Sequence, residues 1–125
     1  EYAAVIPLFI SRIKEGISPH INGDGSTTRD FTYVDTVVEA NVRAAEAPDA
    51  HGRVFNIACG KQHSLNDLVA VINTLLGSHV TPTYGPFREG DIKDSCADIA
   101  QARSVLGFES KISFEEGIKR TIAAL

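Results

Sequence analysis

A chain of 125 residues is long enough for one domain, or for a piece of a larger one. Its formal net charge of −4 argues against a nucleic-acid surface or a polybasic membrane patch, and its two cysteines, Cys59 and Cys96, stand in no metal spacing and suit a reducing cytoplasm rather than a disulfide scaffold. No apolar run approaches the roughly 20 residues that cross a bilayer. Methionine is absent and the chain opens on Glu1-Tyr2, from which we expect a piece of a longer reading frame.

Ile6, Phe9, Ile10 and Ile13 recur at helical spacing and Pro7 suits only a first turn, so a helix is predicted from about Ile6 to Gly16. Ser18–Asn22 reads as a short extended segment. The stretch Gly23–Asp35 follows. Glycines on either side of Asp24 permit a tight turn, Phe31, Tyr33 and Val34 favour a strand, and Asp35 is the expected N-cap of the next helix. Val37, Val38, Val42 and Ala45 give that helix an apolar side, and Pro48 ends it.

Val54–Ala58, apolar except at Asn56, has the pattern of a strand covered on both faces. Ser64 and Asp67 form a helix start signal, followed by Leu65, Leu68, Val69, Ile72, Leu75 and Leu76 with Gly77 as the stop. Val80–Tyr84 alternates as a strand, and Gly85–Asp94 is a polar loop. Asp98 is the expected cap of a short helix ending at Leu106–Gly107. Ser113 and Glu116 form a capping box for a terminal helix carrying Phe114, Ile118 and Ile122. The alternation of helices and strands predicts an α/β fold. Val54–Ala58 requires sheet neighbours that this chain does not obviously supply.

The common catalytic signatures are missing: no Gly-x-Gly-x-x-Gly, no Gly-x-Ser-x-Gly and no His-Glu-x-x-His occurs. His20, His51, His63 and His79 are scattered, as expected of solvated loop residues rather than metal ligands. Two positions remain. Arg29, between the glycine turn and an apolar segment, suits either a structural salt bridge or an anion clamp. Arg88-Glu89-Gly90-Asp91 suits either a solvated turn with a weak internal ion pair or a second anion contact, with Asp91 accepting from a sugar hydroxyl.

Taken in order, Ala4-Val5-Ile6-Pro7 with Phe9-Ile10, Gly23-Asp24-Gly25, Thr28–Asp35, Val54-Phe55-Asn56-Ile57, Ser64–Leu68, Arg88–Asp91, Ala97-Asp98, Ala102-Arg103, Leu106-Gly107 and Glu115–Ile118 span nearly all of the chain. This series resembles the C-terminal portion of the extended short-chain dehydrogenase/reductase family, the NAD-dependent nucleotide-sugar epimerases and dehydratases. The resemblance implies an α/β substrate-binding lobe over residues 1–125, without the N-terminal Rossmann portion. It gives Arg29 and Arg88 the substrate diphosphate, Asp91 the ribose, and His20 to Asn22 the uracil, read largely through main-chain groups. Asp35 and Asn56 would be structural.

Glu1–Pro7 and Ile21–Gly25 resemble the UDP-N-acetylhexosamine 4-epimerase branch in particular, in which the position of Ser95 gates the size of the sugar's C2 substituent. A serine there implies room for an N-acetyl group, hence UDP-GlcNAc or UDP-GalNAc. The family's glycine fingerprint for NAD and its catalytic Tyr-x-x-x-Lys are not among these residues. The resemblance therefore implies NAD in the parent enzyme, none bound by this chain alone, and no catalytic residue here. It also implies that the counterparts of the Asp35–Ala47 helix and the Val54–Ala58 strand lose their cover. The expected partners are a UDP-sugar and either the missing Rossmann half or a second copy, with no nucleic acid and no membrane. A free-standing nucleotide-sugar binding module and a piece of a dehydratase are the competing expectations.

Overall fold

The computed structural model describes residues 4–125. Glu1, Tyr2 and Ala3, the start of the epimerase-like opening, lie outside the described residues. Helix α1 spans Val5–Lys14, with Pro7 in its first turn and Phe9, Ile10 and Ile13 buried. Strand β1 (His20–Asn22) pairs in parallel with β4 (Thr83–Gly85), and β2 (Thr28–Arg29) pairs antiparallel with β3 (His63–Ser64). A parallel pair needs a long crossover. Here the crossover contains α2 (Val34–Glu46), a single 3-10 turn at Pro48–Ala50, and α3 (Leu65–Leu76). Helices α4 (Ala100–Leu106) and α5 (Phe114–Ala124) complete the chain.

Two apolar clusters hold these elements. In the larger, Phe9, Ile10 and Ile13 of α1 meet Ile21 of β1, Leu68, Val69 and Ile72 of α3, and Ile118 of α5. Ile21 is only 1% exposed, so the strand that leads into the glycine turn is pinned at its centre. The smaller cluster joins Ala40 of α2 to Ala50, Ala102, Leu106 and Phe108.

The start and stop of α3 follow the expected chemistry. Ser64 Oγ accepts from the Asp67 amide at 3.0 Å and Asp67 Oδ2 accepts from the Ser64 amide at 2.8 Å. Gly77 closes the helix with φ 63°, in the left-handed region. At α5 only half of the box forms: Ser113 Oγ accepts from Glu116 N at 3.2 Å, while the Glu116 carboxylate pairs with Arg120 instead. Asp98 Oδ1 accepts from Ala100 N at 2.9 Å, although the residue at the N-cap of α4 is Ile99.

Other expectations fail for identifiable reasons. Phe31, Tyr33 and Val34 form no strand: β2 stops at Arg29, and Val34 already opens α2. Asp35 is therefore not the N-cap of α2, a position held by Tyr33. It lies in the first turn, where its charge suits the helix dipole, and pairs with Arg120 at 3.2 Å. The Val80–Tyr84 strand is shorter and later, at Thr83–Gly85. Val54–Ala58 forms no strand, and Val54 is 87% exposed. Its backbone finds no ladder partner among the described residues.

The apolar side of α2 also points outward. Thr36 and Ala40 are the buried residues of this helix, whereas Val34, Val38 and Val42 are 60%, 54% and 51% exposed. This is the uncovered face that the family resemblance implies.

The Ser64 amide and then its hydroxyl hold the Asp67 carboxyl below its ordinary value of 3.8. A depressed folded-state value adds stability above the ordinary range, lost as pH falls through the folded value. Ser64→Ala is expected to lower unfolding stability by about 1 kcal/mol in a denaturant titration near neutrality. The stability gap between the wild type and Asp67→Asn should be constant above about pH 5 and close in acid.

Candidate functional site

The Gly23–Gly25 turn is shaped by what packs on it. Gly23 and Gly25 have φ of 88° and 80°, which a residue with a side chain resists. Asp24 Oδ1 accepts from the amide and hydroxyl of Ser26 at 2.9 and 2.6 Å. The hydroxyl bond and then the amide bond hold this carboxyl below the usual carboxylate range. A side chain at Gly25 would overlap the amide of Asn66. Asn66 donates from Nδ2 to Asp24 O at 3.1 Å and from its main chain to Gly25 O at 3.1 Å, and its Oδ1 accepts from the Tyr84 hydroxyl at 2.8 Å. At Gly23 a Cβ would stand 2.6 Å from the Phe87 ring, so the loop after β4 lies directly on the turn. The Gly23 amide donates to Gly85 O at 3.0 Å and extends the β1–β4 pairing into that turn.

Strand β2 is bonded on both of its edges. On one side Thr28 and Arg29 face Ser64 and His63 of β3. On the other, the Thr28 amide donates to Lys93 O at 2.9 Å, the Ser95 amide donates to Thr28 O at 3.3 Å, and Thr28 Oγ1 donates to Asp94 Oδ1 at 2.7 Å. Thr28 and Asp94 thus form a parallel bridge. Arg29 and Ser95, far apart in sequence, come from strand β2 and the segment bridged to it, which lie side by side.

The half-buried Arg29 guanidinium donates from Nη1 to Thr28 O at 2.7 Å and to Lys93 O at 3.3 Å. Among the described residues it forms no ion pair. Its partners are neutral carbonyls, which fix its position and leave its charge uncompensated by a carboxylate. Arg88 and Asp91 are exposed on a turn closed by Asp91 N donating to Arg88 O at 3.2 Å, with Gly90 at φ 86°. They form no ion pair among the described residues either. His20 is exposed, with Nδ1 at 3.1 Å from Thr83 Oγ1, and Asn22 is exposed opposite Gly85. Ser95 is exposed.

The histidines do not converge, and among the described residues no group of three or more His, Cys, Asp or Glu could hold a metal. His63 differs from the solvated residue expected: it is half-buried in β3, its ring stacked 4.1 Å from that of Phe114. Asn56, outside any strand, donates to Asp98 O at 3.4 Å. No helix among the described residues is long and apolar enough to cross a membrane.

Sequence reasoning passed over the residues that brace the site: Thr28, Asp30, Asn66 and Phe87. Asn66 carried a usable signal, a short polar side chain just inside a helix start and able to bond a neighbouring turn. Asp30, next to the arginine, carried none in the absence of its partners, the Cys59, Gly60 and Ala97 amides and the Cys96 thiol, all from distant segments.

Residues 2–121 match the family model for GDP-mannose 4,6 dehydratase. The UDP-glucose 4-epimerase of Mycolicibacterium smegmatis is 38% identical over 120 residues, covering 96% of this chain and 38% of the relative. The solved UDP-N-acetylglucosamine 4-epimerase of Methanobrevibacter ruminantium M1, in complex with UDP-N-acetylmuramic acid, superposes with a TM-score of 0.88 at 41% identity, over 98% of this chain and 39% of that one. The UDP-glucuronic acid 4-epimerase of Bacillus cereus, solved with UDP-glucuronic acid and NAD, superposes with a TM-score of 0.89 at 28% identity, over 97% and 39%. The chain spans under half the length of these relatives. It belongs to the GDP-mannose 4,6 dehydratase family of extended short-chain dehydrogenases/reductases, which includes the nucleotide-sugar 4-epimerases, and it corresponds to their C-terminal portion.

Proposed function

We propose that this chain is the substrate-binding part of an NAD-dependent nucleotide-sugar 4-epimerase and holds the diphosphate of a UDP-sugar between Arg29 and Arg88. The observation that carries this reading is the docking of Lys93–Ser95 along Thr28, which lays the loop of Arg88 beside the strand of Arg29. An arginine held by carbonyls rather than a carboxylate keeps its charge for an anion, and its fork matches a phosphate. Asp91, acceptor-only when ionised, takes the ribose hydroxyls. Among the described residues strand β1 pairs with β4 on one edge only, so the other edge of His20–Asn22 is open for main-chain recognition of a uracil. Ser95, small and exposed, leaves room for an N-acetyl group at the sugar's C2, which favours UDP-GlcNAc or UDP-GalNAc.

NAD belongs, on this reading, to the remaining length of the parent protein, where it supplies the hydride chemistry. The residues here do not suit a dinucleotide. The Gly23–Gly25 turn leads from β1 into β2, not into a helix N-terminus that would receive a pyrophosphate. The role of this chain is to bind and orient the substrate. The reading places the protein in the cytoplasm, where Cys59 and Cys96, both free thiols, remain reduced. The outer face of α2, with Val34, Val38 and Val42, docks against the nucleotide-binding half of the parent, and in its absence against a second copy.

Calorimetric titration of the 125-residue chain tests the grip. Arg29→Ala and Arg88→Ala should each weaken UDP binding by roughly tenfold, the size of one lost charge-assisted contact, with little effect on uridine. Equal UDP affinity in the wild type and both variants would refute the clamp. Ser95→Tyr should weaken UDP-GlcNAc by about tenfold relative to UDP-glucose and spare UDP, as expected for overfilling a pocket; unchanged discrimination would remove the size gate. Light scattering should show the mass rising with concentration, and Val38→Lys with Val42→Lys should keep the chain monomeric. A wild type that stays monomeric at all concentrations would contradict the α2 assignment.

A further inference from the structure

The carboxylate of Asp30 makes an unusual set of contacts. Its Oδ1 accepts from the Cys59 amide at 3.0 Å, and its Oδ2 accepts from the Gly60 amide at 2.9 Å and the Ala97 amide at 3.4 Å. The Cys96 thiol approaches Oδ2 at 3.8 Å. Desolvation and then the negative charge of Asp30 push this thiol up, which keeps it protonated and a donor. No cation pairs with Asp30 among the described residues. The Cys59, Gly60 and Ala97 amides likewise find no main-chain acceptor there. An ionised acceptor facing converging N–H groups forms charge-assisted bonds, stronger than neutral ones.

These contacts tie together segments that no regular element joins. Asp30 directly follows Arg29, and Ala97 lies just beyond Ser95 in the segment docked against Thr28. The Cys59–Gly60 turn ends the irregular stretch whose expected strand did not form. Thr28 holds the Lys93–Ser95 segment by its main chain, and Asp30 holds the continuation of that segment by its side chain.

We infer that Asp30 is a positioning residue of the substrate site: its carboxylate clamps the Cys59–Gly60 turn and the Cys96–Ala97 segment to the strand bearing Arg29, and so sets the placement of Arg29 relative to Ser95. Asp30 touches no substrate in this assignment and acts through its neighbours. The effect on ligand binding rests on the UDP-diphosphate reading given above. The mechanical coupling of Arg29 to Ser95 does not.

The test uses the 125-residue chain, its Asp30→Asn and Asp30→Ala variants, and the probes UDP and uridine. Asparagine keeps the size but points an N–H group at amides that need an acceptor. Asp30→Asn is expected to lower UDP affinity by roughly tenfold, the size of one lost charge-assisted hydrogen bond, and to leave uridine within about twofold. A residue with only a structural role would not separate the two ligands, so an equal loss for both, or no loss in a folded variant, overturns the proposal. Amide NMR supplies the second readout. The Cys59 and Gly60 amides should be protected from exchange in the wild type despite lying outside helix and strand. In the variants they should lose protection, and the Thr28 and Ser95 amides should shift while those of Leu68 and Ile72 do not. If wild type binds no UDP, the diphosphate reading fails, and these amide shifts alone decide the coupling; an unmoved Ser95 amide overturns it. If both variants fail to fold, rapid exchange of Cys59 and Gly60 in the wild type overturns it, and protection supports it.

Discussion

The bonding of β2 on both edges is the constraint on which the site depends. Only Thr28 and Arg29 belong to this strand, yet β3 holds one side and Lys93–Ser95 the other. Remove the Lys93–Ser95 edge and the Arg29 guanidinium loses a reference point, because it is itself bonded to the Lys93 carbonyl as well as to that of Thr28. Short strands contribute little by themselves. Their register is fixed by neighbours: Ser64 is at once a β3 residue and the N-cap of α3, so the helix start and the strand pairing are one event. From there the order passes to the buried face of α3, Leu68 and Ile72, and through it to Ile21 and the glycine turn.

The two apolar clusters divide the labour. The larger one anchors β1, α3 and α5 and thereby the turn that carries Asp24. The smaller one, built around Ala40, Ala102 and Phe108, seats α2 by small side chains and leaves its valines outside. A helix with alanine and threonine inward and valine outward is not organised for solvent alone. The same applies to Val54, in a segment with strand composition and no ladder partner among the described residues. Both features agree with a chain that spans under half the length of its relatives.

Features set by local chemistry were legible in the sequence. The periodicity of α1 and α3, the Ser64–Asp67 box and the Gly77 stop all depend on residues within a turn or two of each other, and all occur as expected. Features set by distant partners were not. Asp35 has the right side chain for an N-cap, but Tyr33 takes the position and Arg120 takes the carboxylate. Val54–Ala58 has strand composition, but a strand is defined by a neighbour. The individual roles of Arg29 and Arg88 stood open on local grounds, since the same arginine serves an ion pair or an anion. Its carbonyl partners in three dimensions are what narrow the choice at Arg29. Asp30 illustrates the limit most clearly: a carboxylate accepting from main-chain amides leaves no trace in the identity of the residues it holds.

The central claim, that the glycine turn and the Arg88 loop form one diphosphate grip, is tested most directly by mapping backbone amide shifts of the isotopically labelled chain on titration with UDP. The account predicts that saturable shifts concentrate in Asn22–Arg29 and Arg88–Ser95, with α2 and α4 silent. Shifts confined to other surfaces, or none at UDP concentrations that saturate the probe's solubility, would contradict it.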